Sequence, residues 1–251
     1  MNKVVLITGS GKERVGNYVA HYLAERGYDI AIHYRSSRQE AEETVRVLSK
    51  KVKAAAFQAD ITKDKERETL VQKVVEKFGR IDVLVNAASK FGRSRPGEEG
   101  NEAEDYLRVN LISQYDLSWR VGRQMIKQGP GDYSIILFGD WATERPYPGY
   151  ADYLLSKAGV QGSTRILANE LKPNKSRPET IIRVNCILPG PVMLPLDMSD
   201  EEKELAVSKT LVNHEGNPLN IAQGVLYAIE NDFVDGDELK IEGGKTIRSE
   251  E

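Results

Sequence analysis

The sequence predicts a doubly wound α/β domain built on a mostly parallel, seven-stranded sheet with helices on both faces. Three observations lead there. Seven short apolar runs alternate with longer stretches of helical spacing from one end of the chain to the other. The first run leads straight into a glycine-bearing turn, and no composition break, repeat or low-complexity tract divides the 251 residues. Continuous apolar strands separated by amphipathic helices imply a parallel sheet covered on both sides, wound by right-handed crossovers.

Residues 4–7 form an unbroken apolar run that stops at TGSGKERVGN, after which helical spacing runs through 19–24. Residues 30–33 are the second run, ending in AIHYRSS, and 41–48 return to helical spacing. The third run, 54–57, ends shortly before Asp60, and 70–78 supply the next helix. The fourth, 81–85, leads into Asn86-Ala87-Ala88, and one long helix is expected over 106–126. The fifth, 134–138, opens onto GDWATERPYPGYADYLLSKAGV, which is helical from Tyr153 to residue 171. The last runs are 181–188 and 239–241, with a helix at 221–229 between them. Two connections exceed what a link requires. One is 89–104, rich in Gly, Arg and Glu; the other is 189–217, which opens on PGPVMLP and holds an acidic helical piece, DMSDEEKELAV. Long segments at the carboxyl ends of strands are where such folds place ligands.

Apolar residues at 40% and charged residues at 29% describe a soluble globular chain that can bury a sizeable core. A formal charge of −3, with bases and acids intermixed, provides no field for nucleic acid or an anionic membrane. The expected partner is a small molecule. A single cysteine, Cys186, excludes an intrachain disulfide and a cysteine-based metal site, and no metal is expected. No run approaches the roughly 18 apolar residues that cross a bilayer. The first run is too short for a secretory signal, so a cytoplasmic location is the expectation.

Glycines let a chain pass close to a pyrophosphate whose charge rests on free N–H groups at a helix N-terminus. TGSGKERVGN has those ingredients, although its glycines at 9, 11 and 16 miss the G-x-G-x-x-G spacing. The end of the second strand points to the cofactor. Sites for an unphosphorylated ribose carry Asp or Glu there, whereas this chain has His33, Tyr34, Arg35, Ser36 and Ser37, with no acid before Glu40. A guanidinium and hydroxyls suit a 2′-phosphate, so NADPH is expected over NADH. Ser36 also suits a helix N-cap.

Tyr153 and Lys157 stand four residues apart, which puts both on one helix face. A neighbouring ammonium favours phenolate, lowers the pKa of the phenol and prepares a proton donor. Thr8-Gly9, Asp60, Asn86-Ala87-Ala88, Asn110, Tyr153 with Lys157, and Pro189-Gly190 follow one another in a set order. In that order the chain resembles the short-chain dehydrogenase/reductase family over essentially its whole length. The resemblance implies one Rossmann-type domain spanning residues 1–251. It implies that Tyr153 donates a proton, that Lys157 holds the nicotinamide ribose and tunes the tyrosine, and that Asn110 keeps its helix kinked for a relay water. It implies a cofactor groove of Gly9, Arg14, Val15, Tyr34, Arg35, Ser36, Asp60, Ile61, Asn86, Ala87, Lys157, Pro189, Gly190 and Val192. The stretch Ile241-Glu242-Gly243-Gly244 resembles the family's end, where subunits pack, and implies a homotetramer.

The family's usual serine, 13 residues before the tyrosine, is replaced by Asp140. A carboxylate repels the negative charge that develops on a carbonyl oxygen, but it suits a substrate with basic ring nitrogens and N–H groups. The pteridine reductase branch has this substitution, and an arginine in the first turn comparable with Arg14. This chain is similar to that branch also at Asn86, Ala88, Ser89 and Phe91, at His33-Tyr34-Arg35-Ser36, and at Gly149-Tyr150. The likeness implies a pterin stacked on Phe91, Arg14 facing both pyrophosphate and pterin, and Ser89 at the cofactor or the pterin's polar edge. Asp140 would relay with Tyr153 to a ring nitrogen. Met193, Leu194, Leu196 and Met198 would form an apolar lid, and Trp141 suits either a pocket wall or a strand-end support. A carbonyl or 3-oxoacyl-thioester reductase is the alternative activity. A non-catalytic NADPH-binding regulator is the second alternative.

Overall fold

The computed structural model describes residues 2–94, 102–194 and 198–249. Its seven strands are β1 (Val4–Thr8), β2 (Asp29–Tyr34), β3 (Ala54–Gln58), β4 (Val83–Asn86), β5 (Gly131–Phe138), β6 (Thr180–Pro189) and β7 (Glu238–Ile241). They lie in the order β3-β2-β1-β4-β5-β6-β7, every pairing parallel. The helices are α1 (Val15–Ala24), α2 (Arg38–Leu48), α3 (Asp64–Phe78), α4 (Ala103–Tyr106), α5 (Ser113–Gln128), α6 (Ala151–Leu171), α7 (Asp200–Ser208) and α8 (Pro218–Glu230). This is the single-domain, doubly wound sheet that the sequence pattern predicts.

The two-residue period of a strand divides the core between the faces. Val5 and Ile7 of β1, with Val83 and Val85 of β4, pack with α1 and α8 residues such as Val19, Leu23, Ile221 and Val225. Leu6 and Leu84, between them in sequence, face the other way and pack with Leu70, Val74, Leu117, Val121 and Leu167 of α3, α5 and α6. Each such aliphatic side chain, wholly buried, contributes about 1.5–3 kcal/mol. A one-residue slip of register would turn every one of them to the wrong face.

The sheet order reverses between β1 and β4, where Thr8 pairs with Asn86. The crevice outside the carboxyl ends of these strands is therefore the topological place for a ligand. Local signals set the helix boundaries there. Asn217 caps α8 with a capping box and Pro218 opens it; Ser199 and Glu202 form the same box on α7. Gly79, with φ of 84°, ends α3 in the left-handed conformation that glycine accepts without strain.

Two expectations change. The helix expected over 106–126 is interrupted: residues Leu107–Ile112 are π-helical, between α4 and α5. The Ser113 hydroxyl donates to the Arg108 carbonyl at 2.6 Å inside this widened turn. A π turn places one extra residue in the ladder and re-aims the side chain it carries, here Asn110. Ser37, not Ser36, is the N-cap position of α2, and its side chain makes no cap hydrogen bond. Of the long connections, part of 89–104, the start of the acidic piece and the lid residue Leu196 lie outside the described residues.

Candidate active site

The cofactor side of the crevice is held by short, buried hydrogen bonds. Gly9, at φ 65°, passes so close to β4's exit that a Cβ would stand 2.6 Å from the Ala88 Cα. Only glycine fits that backbone and that approach. The Gly9 amide donates to His33 Nδ1 at 3.1 Å, which leaves Nε2 as the protonated nitrogen, bonded to the Ala59 carbonyl at 3.0 Å. Burial pushes the His33 pKa down to about 4, so the ring is neutral. Asn17 ties the turn from below, donating to the Ser10 carbonyl and the Thr44 hydroxyl. Arg14 is the N-cap residue of α1, exposed and in extended conformation, with no side-chain cap. The first amides of α1 are thus left for an anion.

Arg35 and Ser36 stand exposed where β2 ends. Asp60 accepts from the Thr62 amide and hydroxyl at 3.0 and 2.7 Å. Burial works against that carboxylate, but the Thr62 bonds and the Arg35 charge keep its pKa below the usual range.

The catalytic side gathers side chains from four segments. Asp140, half-buried after β5, accepts from the Ala142 amide at 2.9 Å and from the Tyr153 hydroxyl at 2.6 Å. Lys157, one turn further along α6, donates to the Phe138 carbonyl at 2.8 Å and lies 5.7 Å from the Tyr153 ring centre. Burial raises the Asp140 pKa, against the Tyr153 hydrogen bond, the Ala142 amide and the charges of Lys157 and Lys245. Burial likewise lowers that of Lys157, with the Asp140 charge opposing. Burial raises Tyr153 well above an ordinary phenol, reinforced by the charge and hydrogen bond of Asp140. The expected lowering of Tyr153 by Lys157 is therefore overturned. The ammonium turns to a backbone carbonyl, and the hydroxyl meets an acid, which favours phenol over phenolate.

Asn110 fixes the opposite wall. Its amide accepts from the Lys90 amide at 2.8 Å, donates to the Lys90 carbonyl at 2.9 Å, and donates to the Ser156 hydroxyl at 2.9 Å. Ser89 donates to the same Asn110 oxygen at 3.2 Å. This clasp sets the chain that carries Phe91, which stacks on Tyr150 at 5.2 Å and meets Tyr153 edge-on at 4.8 Å. Tyr147 continues the aromatic wall between Tyr150 and Trp141. Above it, Arg93 reaches the Tyr150 hydroxyl at 3.2 Å and Glu202 of α7 at 2.7 Å.

Comparison with known proteins agrees with this fold. A family model described as enoyl-(acyl carrier protein) reductase matches residues 11–246. The 3-oxoacyl-[acyl-carrier-protein] reductase FabG of Staphylococcus epidermidis is 31% identical, over 97% of this chain and 99% of that protein. The fold superimposes on FolM, alternative dihydrofolate reductase 1 of Brucella suis, solved with NADP. There the TM-score is 0.89 and the identity 27%, over 100% of this chain and 97% of that one. Actinorhodin polyketide ketoreductase, a variant solved with NADPH, gives 0.86 and 26%, over 98% of each chain. The chain is a short-chain dehydrogenase/reductase.

In this short-chain dehydrogenase/reductase the residues singled out from sequence divide into three groups. Asp140, Phe91 and Lys157 gather around Tyr153, and Asn110 joins Ser89 to Ser156 of α6. Gly9, Val15, Arg35, Ser36 and Asp60 surround the β1 turn and the ends of β2 and β3, and Pro189, Gly190 and Val192 leave β6 on the far side of the crevice. The side chains of Tyr34 and Ile61 are core, and Asn86 is wholly buried, donating to the Ser118 hydroxyl at 3.0 Å. Ala87 packs beneath the turn, 3.0 Å from where a Gly16 Cβ would sit.

Five contributors carry no supporting role assigned from sequence. His33 and Ser156 support the site from inside; their polar type, at a strand end and three residues after Tyr153, is the available signal. Arg93 with Glu202, and Lys245 beside Trp141, come from distant segments with no local pattern to announce them. Among the described residues, no helix is long and apolar enough to cross a membrane.

Proposed function

We propose that this reductase uses NADPH to reduce a pterin-type substrate, a dihydropterin or dihydrofolate. The observation that carries the reading is the 2.6 Å hydrogen bond from Tyr153 to Asp140, with Phe91 edge-on beside it. A carboxylate at this point accepts from ring N–H and amino groups. It would oppose an alkoxide developing on a simple ketone.

The residues present fit NADPH. The glycine turn brings backbone against β4's exit, the uncapped α1 amides suit a pyrophosphate, and Arg35 with Ser36 offers charge and a hydroxyl to a 2′-phosphate. Asp60 and Ile61 flank the adenine end, and Asn86 with Ala87 backs the groove. Pro189, Gly190 and Val192 edge the nicotinamide end. When bound, NADPH supplies a hydride to a substrate carbon. Tyr153 and Asp140 then hold the proton for the neighbouring ring nitrogen, Tyr153 as phenol and Asp140 as its partner. Lys157, held by the Phe138 carbonyl, presents its remaining N–H donors toward the ribose. Phe91 offers an aromatic face worth roughly 0.5–1.5 kcal/mol beyond burial. Arg14 lies exposed at the mouth of the turn, where it can meet pyrophosphate and substrate together. FolM, solved with NADP, supports this reading as a relative of matching fold.

A 3-oxoacyl-thioester reductase is the second reading, favoured by the 31% identity to FabG. NADPH oxidation by the purified protein with dihydrobiopterin, dihydrofolate and an acetoacetyl thioester, in parallel, separates the two. Turnover of a dihydropterin or dihydrofolate is expected. Turnover of the thioester alone would sink the pterin reading. Asp140→Ser is expected to abolish pterin reduction while NADPH binding survives. The homotetramer and the cytoplasmic location belong to the same reading; light scattering on the eluted protein tests the first.

A further inference from the structure

His33 is the penultimate residue of β2, and its side chain is buried. The ring lies between two stretches of the cofactor groove. Its Nδ1 accepts from the Gly9 amide at 3.1 Å and its Nε2 meets the Ala59 carbonyl at 3.0 Å, so it joins the β1 turn to the exit of β3, just before Asp60. The main chain of the same residue takes the next amide, for Ser10 N–H donates to the His33 carbonyl at 3.1 Å. Further bonds close the first half of the turn. The Ser10 hydroxyl donates to the Ile7 carbonyl at 2.7 Å, the Ala88 amide to the Thr8 hydroxyl at 3.1 Å, and Asn17 to the Ser10 carbonyl at 3.1 Å. Two consecutive amides, those of Gly9 and Ser10, are thus committed to His33. Val15 and Gly16, the first two positions of α1, are the ones whose amides have no intrahelical partner and face an arriving anion.

We infer that His33 is a positioning residue for the cofactor: its Nδ1, kept as a bare acceptor, turns the Gly9 amide inward and fixes the turn on which the NADPH pyrophosphate rests. That acceptor exists in one state of the ring alone. A ring with a proton on Nδ1, or on both nitrogens, sets N–H against N–H, and Gly9 loses its partner. The surroundings select the needed state. The Ala59 carbonyl can only accept, so it draws the single proton to Nε2. Burial pushes the pKa down to about 4, against the Ala59 hydrogen bond and the charge of Asp60, the charged group that faces the ring from the end of β3. The β1 turn presents only the neutral Gly9 amide to it. The role belongs to cofactor binding and is the same whatever the substrate.

Asparagine and glutamine separate the two ring nitrogens, because Asn Oδ1 stands where Nδ1 stands and Gln Nε2 where Nε2 stands. His33→Asn keeps an acceptor for Gly9 and loses the Ala59 bond; His33→Gln keeps the Ala59 bond and loses the acceptor. Each gives up one hydrogen bond, so a merely structural role lowers the melting temperature alike in both and leaves their affinities together. NADPH binding by calorimetry is expected to weaken roughly ten-fold in His33→Gln and to stay within about two-fold of wild type in His33→Asn. Equal affinities in the two variants overturn the inference. The wild-type chain provides a second reading that needs no variant to fold. In ¹⁵N NMR the buried one of the three histidines should show Nδ1 without a proton, and scalar coupling across its hydrogen bond to the Gly9 amide should persist when NADP is added. A proton on Nδ1, or loss of that coupling on binding, overturns the inference equally. No pterin enters these measurements. Failure of the pterin reading would instead appear as absent dihydropterin turnover by the wild-type protein, whatever His33 does.

Discussion

The two sides of the crevice are built by different means. The cofactor side is a turn between consecutive elements, held by backbone and by buried neutral groups: Gly9 against Ala88, His33 under the Gly9 amide, Asn17 under Ser10. The proposed substrate side is assembled from remote segments by charged side chains: Arg93 to Glu202, Lys245 to Ala206, Arg248 to Ser208 and Thr210. Neutral buried bonds make a fixed cradle. The exposed Arg93–Glu202 ion pair is individually weak and can be retuned without disturbing the sheet.

That contrast breaks most visibly at His33. The unfolded chain takes up a proton on this ring at the ordinary 6.5, the folded chain only near 4. Between those values the unfolded state binds more protons, so stability is full above the window and is lost as pH falls through it. The loss reaches roughly 3 kcal/mol over the whole window. Denaturant midpoints measured from pH 7 to pH 4 should show that slope in the wild type. His33→Gln, which cannot charge, should flatten it.

A second comparison concerns the cofactor's charge. Arg35→Ala removes a guanidinium suited to a 2′-phosphate and touches nothing in the cradle. NADPH should bind roughly 10- to 100-fold more weakly by calorimetry, with NADH little changed. Equal loss for both would reject the 2′-phosphate assignment.

The smallest effect belongs to the cover. Arg93 and Glu202 are solvent-accessible partners, so Arg93→Ala should raise KM by about two- to five-fold and leave kcat and the melting temperature nearly unchanged. A collapse of kcat would mean that Arg93 acts in the chemistry rather than in holding α7.

Much of this architecture could be read from the chain before any coordinates. Every strand run falls within three residues of its observed start, because a strand buried on both faces must be apolar throughout, and that leaves a plain mark. Tyr153 and Lys157 were legible as one helix face, and Asp140 as an acid where the family has a hydroxyl. What Lys157 does was not. Its ammonium had a choice between a phenol four residues back and a carbonyl at the end of β5, and only the packing of α6 against that strand puts the carbonyl in reach. The resemblance implied a kink at Asn110, but its form, a π turn, was hidden, since helical spacing does not reveal one extra residue in a ladder.

The sequence by itself determined the sheet, its two apolar faces and the glycine turn, because these follow from local period and residue type; the pairing of Asp140 with Tyr153 was implied only by the family resemblance. The tertiary structure alone decided the proton state of that pair and the residues that cover it. Desolvation depends on what surrounds a group from every side. Here the surroundings come from the end of β5, from the loop before α6, from α6 itself and from a tail more than 100 residues from Asp140 in the chain.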